Sequence, residues 1–291
     1  MAAKSIPAVF AGYSSNSFSD YCVLAKPEVN FLIAITAAAA FRVGSCADPS
    51  HFSWLLLTNT VLGTLLVASG AGALNQWMEH RFDANMRRTA RRPIAAGRIE
   101  PARAFMFGAL LSLMGAGCLA VTPAASLLAV LTMSGYLLLY TPLKRRTPLC
   151  TVIGAFPGAM PVLIGYAAAA GKLDRPAWLL FAILFLWQFP HFMAIAWIYR
   201  EDYARAGYRV LPEGNRRASF VACQTLLPFL ALAPVASLVA PLAATLPLTL
   251  GFLYYGARFA SRRSAADARR LLFASIIYLP ALLGMVVLFP M

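Results

Sequence analysis

The sequence predicts an all-α fold: a polytopic membrane bundle of nine transmembrane helices around a central cavity open toward the cytosolic side. Three observations predict it. Hydrophobic residues fill 60% of the 291 positions and charged residues only 12%, against roughly 25% charged in a soluble domain. The charges are clustered, so long charge-free runs separate them. Those runs suit one or two crossings, since a helix needs about 20 apolar residues to span the hydrocarbon core.

Taken in chain order, the stretch to Asp20 is Ser- and Ala-rich, with Lys4 as its single basic residue. It lacks the apolar core of a secretory signal and the repeated arginines of a transit peptide. Residues 1–20 therefore read as a short flexible cytosolic tail, and residues 21–291 as one transmembrane domain without linker or soluble insertion. Val29 to Phe41 is a short first span that reaches full length if Arg42 snorkels to the interface. Pro49 to Met78, Leu149 to Gly171, Pro176 to Tyr199 and Leu271 to Met291 each suit one crossing. Ala104 to Leu143 and Ala218 to Ala257 each suit two, with hairpins at Thr122-Pro123 and Ala240-Pro241.

Lys and Arg placement sets the orientation. With the N-terminus cytosolic and the C-terminus outside, all but Arg42, Lys172 and Arg175 of the 25 basic residues fall on the cytosolic side. The expected location is a bacterial inner membrane. The net charge of +14 is carried by these connections and not by a soluble domain, which excludes nucleic acid and leaves lipid as the surrounding partner. The five cysteines are scattered, without a CxxC or a metal-ligand spacing, and read as small apolar residues.

Acidic residues near a membrane are costly, so the few present are informative. Asn75, Glu79 and Asp83 recur every four residues at the end of the second span. A helix that continues to that point carries all three oxygens on one face. Two carboxylates and an amide are hard ligands suited to Mg²⁺. Arg87, Arg88, Arg91 and Arg92 follow and supply forked donors for phosphate. A second acidic pair, Glu201-Asp202, ends the sixth span. Adjacent residues diverge by about 100° on a helix, so one of the two aims at the site. A third connection, Tyr140-Thr-Pro-Leu-Lys144-Arg145-Arg146, adds basic donors. Together these parts describe a metal-bridged diphosphate at the cytosolic surface, with a greasy bundle for an apolar tail. Ionising an allylic diphosphate leaves a carbocation and pyrophosphate, and metal with Arg and Lys stabilises the departing charge.

The spelling Asn75-x₃-Glu79-x₃-Asp83-x₂-Met86-x-Arg88-Thr89-x₂-Arg92-Pro93 resembles the first signature of the membrane-embedded prenyltransferases related to 4-hydroxybenzoate polyprenyltransferase. Lys26-Pro27-Glu28, Tyr140-Thr-Pro-Leu-Lys144-Arg, Trp187-Gln-Phe-Pro-His191-Phe and Glu201-Asp202-Tyr-x₂-Ala-Gly207-Tyr narrow the resemblance to the haem branch, the protohaem IX farnesyltransferases or haem O synthases. It runs from about Asp20 to the last span. The resemblance implies that haem B, farnesyl diphosphate and water give haem O and diphosphate, with Mg²⁺ as cofactor and haem B as substrate. It implies catalytic roles for Asn75, Glu79, Asp83 and Asp202, with Glu79, Asp83 and Asp202 toward the metal. It also implies substrate contacts at Arg88, Arg92, Lys144 and Arg145. Haem O supplies haem-copper oxidases, so haem A synthase or oxidase assembly factors are the implied protein partners. Two departures stand out. Glu79 and Arg81 occupy positions where bacterial members often carry Asp, and the second acidic motif has fewer acids than in the wider superfamily.

Only His51, His80 and His191 are present, and no CxxCH allows covalent haem. His191 precedes Asp202 by eleven residues, placing it about 16 Å deeper along a straight helix. Two readings stay open: His191 contacts haem as a substrate-binding residue, or it satisfies local backbone or orients Gln188. For the whole chain the alternatives are a prenyltransferase with an aromatic acid or quinone precursor as acceptor, and a secondary transporter. Transporters bind near the midplane, whereas these acids lie at the cytosolic edge.

Overall fold

A computed structural model describes residues 17–46 and 52–289; most of the expected tail and His51 lie outside that range. The described chain is helical throughout, without strands. α1 (Ser17–Ala25) contains the last residues of the expected tail, and its Asp20 is buried and paired with Arg98 Nε at 2.9 Å. Lys26 then takes a left-handed conformation (φ 51°), turning the chain into α2 (Pro27–Gly44). Pro27 suits that start because it has no N–H to leave unbonded.

The remaining long helices are α3 (Trp54–Asp83), α4 (Pro101–Leu119), α5 (Pro123–Ser134), α7 (Cys150–Ala170), α8 (Arg175–Ile198), α10 (Arg216–Ser237), α11 (Leu242–Arg262) and α12 (Ala265–Leu288). α5 runs on through a π-helical turn at Gly135–Tyr140 into α6 (Thr141–Leu143), and a short α9 (Arg200–Arg205) follows α8. Both hairpins fall where Pro123 and Pro241 place them.

Among the described residues eight helices, counting Pro123–Leu143 as one, are long and apolar enough to cross a membrane. The ninth expected crossing is α11, long enough at 21 residues but less apolar. Thr245, Thr249, two tyrosines and Arg258 dilute its sequence. Its threonines are buried against the bundle, and Arg258 pairs with Asp267 at 2.7 Å.

α2, α7, α8 and α12 pack together at the centre, with Leu163, Leu180, Ile183, Met193 and Leu282 in their shared core. α10 and α11 close one side and α3 with α4 the other. The α3–α4 seam brings backbones together. A Cβ added to Gly115 would lie 2.6 Å from Gly63 O, the small-residue approach used between membrane helices. Leu113, Leu230 and Phe273, on three different helices, remain 73%, 76% and 65% exposed, presenting the apolar exterior that lipid covers.

Candidate functional site

α3 is 30 residues long, about 45 Å, and so outruns the ~30 Å hydrocarbon core. Its last turns carry Asn75, Glu79 and Asp83, all buried on one face. Asn75 Nδ2 donates to Glu79 Oε2 at 3.0 Å and to Thr141 Oγ1 at 3.1 Å, while Tyr136 OH donates to Asn75 Oδ1 at 3.2 Å. The π-helical turn supplies this second wall, since it delivers Tyr136 and leads directly into Thr141 and Lys144. π-bulges recur at functional sites.

Cations meet the carboxylates closely. Lys144 Nζ stands 2.6 Å from Glu79 Oε1, and Tyr208 OH donates to the same oxygen at 2.9 Å. Burial and the Glu79 charge push the Tyr208 phenol pKa upward, keeping it a donor. Arg92 pairs with Asp83 Oδ2 at 2.8 Å, while Thr89 Oγ1 donates to Asp83 O at 2.9 Å. Asp202 Oδ2 accepts the Arg88 backbone N–H at 3.3 Å, and its Oδ1 meets Arg205. Glu201 faces outward and pairs with Arg200, so the expected divergence of the acidic pair holds. The Arg88 guanidinium lies over the Tyr199 ring at 4.8 Å and that of Arg145 over Phe82 at 4.1 Å. These faces hold the side chains without consuming their forked donors.

The three expected metal carboxylates do not form one ligand cluster. Among the described residues no three His, Cys, Asp or Glu side chains converge on a common point. Glu79 and Asp83 are turned to Lys144 and Arg92, while Asp202 is tied to the loop after α3 through Arg88. The donor set still suits Mg²⁺, being all hard oxygen. Asp83 Oδ1 is buried without a partner, which leaves one strong acceptor spare. Mg²⁺ binds with few protein ligands when substrate phosphates and water complete its shell.

His191 lies apart from these groups on α8. Its ring stacks on Trp187 at 4.6 Å between centroids, and Nδ1 is 2.8 Å from Ser275 Oγ on α12. Gln188 donates to Ala155 O and Leu184 O at 3.0 and 3.1 Å. His191 is therefore not needed to orient it, and that reading falls away.

Sequence reasoning assigned no role to Tyr136, Thr141, Tyr208, Arg205 or Lys26. Lys26 belongs with the site although it precedes α2. Burial, reinforced by the positive charges of Arg92 and Lys144, brings its pKa from 10.5 down to about 7. Its stem lies against Gly72 of α3, where an added Cβ would approach Lys26 Cδ to 3.4 Å. Tyr208 follows Gly207, whose φ of 73° makes the turn that brings the phenol back to α3. Beside the site a cavity of about 590 Å³ is lined by Arg146, Arg200, Tyr203, Tyr208, Arg209 and Arg217. Lys26, Arg88, Arg92, Lys144 and Arg205 outnumber three carboxylates, an excess of positive charge that suits an anionic ligand.

Comparison with known proteins identifies the family and the fold. A protohaem IX farnesyltransferase of Solibacter usitatus is 43% identical over 288 residues, covering 92% of this chain and 98% of its own length. A solved digeranylgeranylglyceryl phosphate synthase shares the fold with a TM-score of 0.73 at 17% identity, covering 94% of this chain and 98% of its own. A UbiA homologue from Archaeoglobus fulgidus, solved with GPP and Mg²⁺, has a TM-score of 0.62 at 12% identity, covering 92% and 99%. The UbiA prenyltransferase family model matches residues 32–277, and the chain belongs to that family.

Proposed function

We propose that this protein transfers the farnesyl group of farnesyl diphosphate to a vinyl group of haem B, with addition of water, giving haem O and diphosphate for haem-copper oxidase assembly. The buried Asn75/Glu79/Asp83 face set against Lys144, Arg92 and Tyr208 carries the diphosphate half of this reading. The protohaem IX farnesyltransferase relatives support the haem half. The positive-inside distribution supports an N-terminus in the cytosol, a C-terminus outside and an inner-membrane location.

In the mechanism, Lys144, Arg92 and the Arg88 side chain bind the diphosphate and stabilise charge as the allylic C–O bond breaks. Asp83, with Glu79 and Asp202, would hold Mg²⁺, which would further neutralise the leaving group. The bonding pair leaves with diphosphate, and the vinyl carbon of haem attacks the farnesyl cation. Water captures the new cation beside the macrocycle and loses a proton. Arg145 and Arg88 help keep the departing anion at the aqueous edge, away from the cation.

The acceptor is tested by incubating membranes with farnesyl diphosphate and either haem B or 4-hydroxybenzoate. The expected product is haem O by mass. A prenylated benzoate without haem O would replace this reading with the aromatic-acceptor one.

Lys26 makes the diphosphate step pH-dependent. Its free-state pKa is about 7, and a bound diphosphate favours the ammonium, raising that value. Its contribution to affinity is therefore complete below pH 7 and fades as pH rises from 7 toward the bound-state pKa. Between pH 7 and 9, inorganic diphosphate with Mg²⁺ is expected to weaken more steeply for wild type than for Lys26→Arg, whose guanidinium stays charged. Isothermal titration of both proteins across that range checks the difference; parallel slopes would remove Lys26 from the site.

A further inference from the structure

Two short segments beside the site send their side chains to opposite sides. Lys144 and Tyr208 both reach Glu79, at 2.6 and 2.9 Å. Arg146, just beyond Lys144, and Arg209, directly after Tyr208, instead line the neighbouring cavity of about 590 Å³. The Arg209 backbone N–H donates to Lys144 O at 2.8 Å, so the two segments are joined to each other. Together they form a partition. Tyr208 belongs to both sides, since its ring lines the cavity while its hydroxyl is turned to Glu79.

The cavity is unbalanced in charge. Arg146, Arg200, Arg209 and Arg217 line it, and Glu213 is the one acidic residue of the lining. Arg200 rests on the Trp197 ring and meets Glu201 at 3.4 Å, outside the cavity wall. Arg217 Nε donates to Pro212 O at 3.0 Å, which fixes its guanidinium by one edge. Arg146 and Arg209 have no ion-pair partner among the described residues, and Glu213 pairs with none of the four. Like charges around one concave surface repel, and apolar walls such as Val210 and Leu211 focus their field into the space between them. Guanidinium forks placed there match the oxygens of a phosphate.

We propose that this cavity is a second anion site that takes a phosphate group, carried by free diphosphate or by the headgroup of an anionic phospholipid. The choice of phosphate rests on the diphosphate reading of the adjoining site and not on the haem acceptor. Because Arg146 and Arg209 share backbone segments with Lys144 and Tyr208, an anion in the cavity steadies the latter two against Glu79.

The test titrates full-length protein in phosphatidylcholine nanodiscs with inorganic diphosphate and Mg²⁺ by calorimetry. Wild type is expected to bind at two sites. Arg146→Gln/Arg209→Gln should weaken one of them by at least about 10-fold, the usual scale for losing a charge-assisted contact. The other site should be unchanged, which shows that the variant is folded. The source of the phosphate is read by native mass spectrometry after transfer to discs containing phosphatidylglycerol. Phosphatidylglycerol retained by wild type and lost from the double variant assigns the lipid headgroup. Equal lipid retention beside a diphosphate site sensitive to the double variant assigns the free anion. Equal retention with no such sensitive site would overturn the inference alone. Failure of wild type to bind diphosphate at all would overturn it together with the diphosphate reading of the adjoining site.

Discussion

Asp83→Asn is expected to abolish haem O formation, lowering turnover by at least 10²- to 10³-fold, the usual cost of removing one preorganised electrostatic group. The substitution keeps the side-chain volume but removes the charge that holds Arg92 at 2.8 Å and turns one of the two acceptor oxygens into a donor, so Arg92 and the spare Oδ1 position cannot both be served by oxygen. Asp83 is 1% exposed, so no other solvent-borne group can replace it. Haem O measured by mass in cells carrying the variant as sole copy gives the readout, with thermal unfolding of the purified protein as a control for folding. Normal haem O accumulation would show that the diphosphate site has been misplaced.

Lys144→Ala is expected to damage both stability and binding. Lys144 and Glu79 are almost fully buried, with Nζ and Oε1 2.6 Å apart. Removing one partner of such a pair leaves a buried charge and costs about 3–5 kcal/mol. Tyr208 and Asn75 still donate to Glu79, which places the expected loss at the lower end of that range. The same change removes a diphosphate donor. Adding Glu79→Gln to Lys144→Ala separates the two effects: thermal stability should recover, while diphosphate affinity and haem O formation should not. Recovery of activity in the double variant would mean that the ion pair is purely structural.

The bundle was legible in the sequence because lipid imposes one requirement on every outward face. Leu113, Leu230 and Phe273 are where apolarity alone predicts them, on spans of predictable length. α11 was the faint case, since Thr245 and Thr249 turn inward and do not announce a lipid-facing helix. In the site, Asn75, Glu79 and Asp83 were legible as a face because they share one helix and its period. Tyr208 and Tyr136 were not, because their partners stand 129 and 61 positions away and no periodicity links them. Lys26 looks like any basic residue at a span boundary until α1 and α3 are seen to enclose it. How the expected metal carboxylates are paired was not legible for a related reason. Three carboxylates can be counted in a sequence, but the cations that capture them first are visible only in three dimensions.

The π-helical turn at Gly135–Tyr140 bears on how this enzyme can be lost. It accommodates about one residue more than α-helical winding would, so it takes up that residue and keeps the residues that follow in phase with the lipid-facing part of α5. Deleting a single leucine there, such as Leu138, would let the segment wind as plain α-helix and would leave the span's apolar character intact. Five α-helical residues turn through about the same angle as six wound in a π-helix, so Thr141 would still face Asn75 and Lys144 would still face Glu79. A one-codon insertion elsewhere in α5, with no second wide turn to take it up, would instead rotate Thr141 and Lys144 off the site by about 100° while every polar residue remained in the gene.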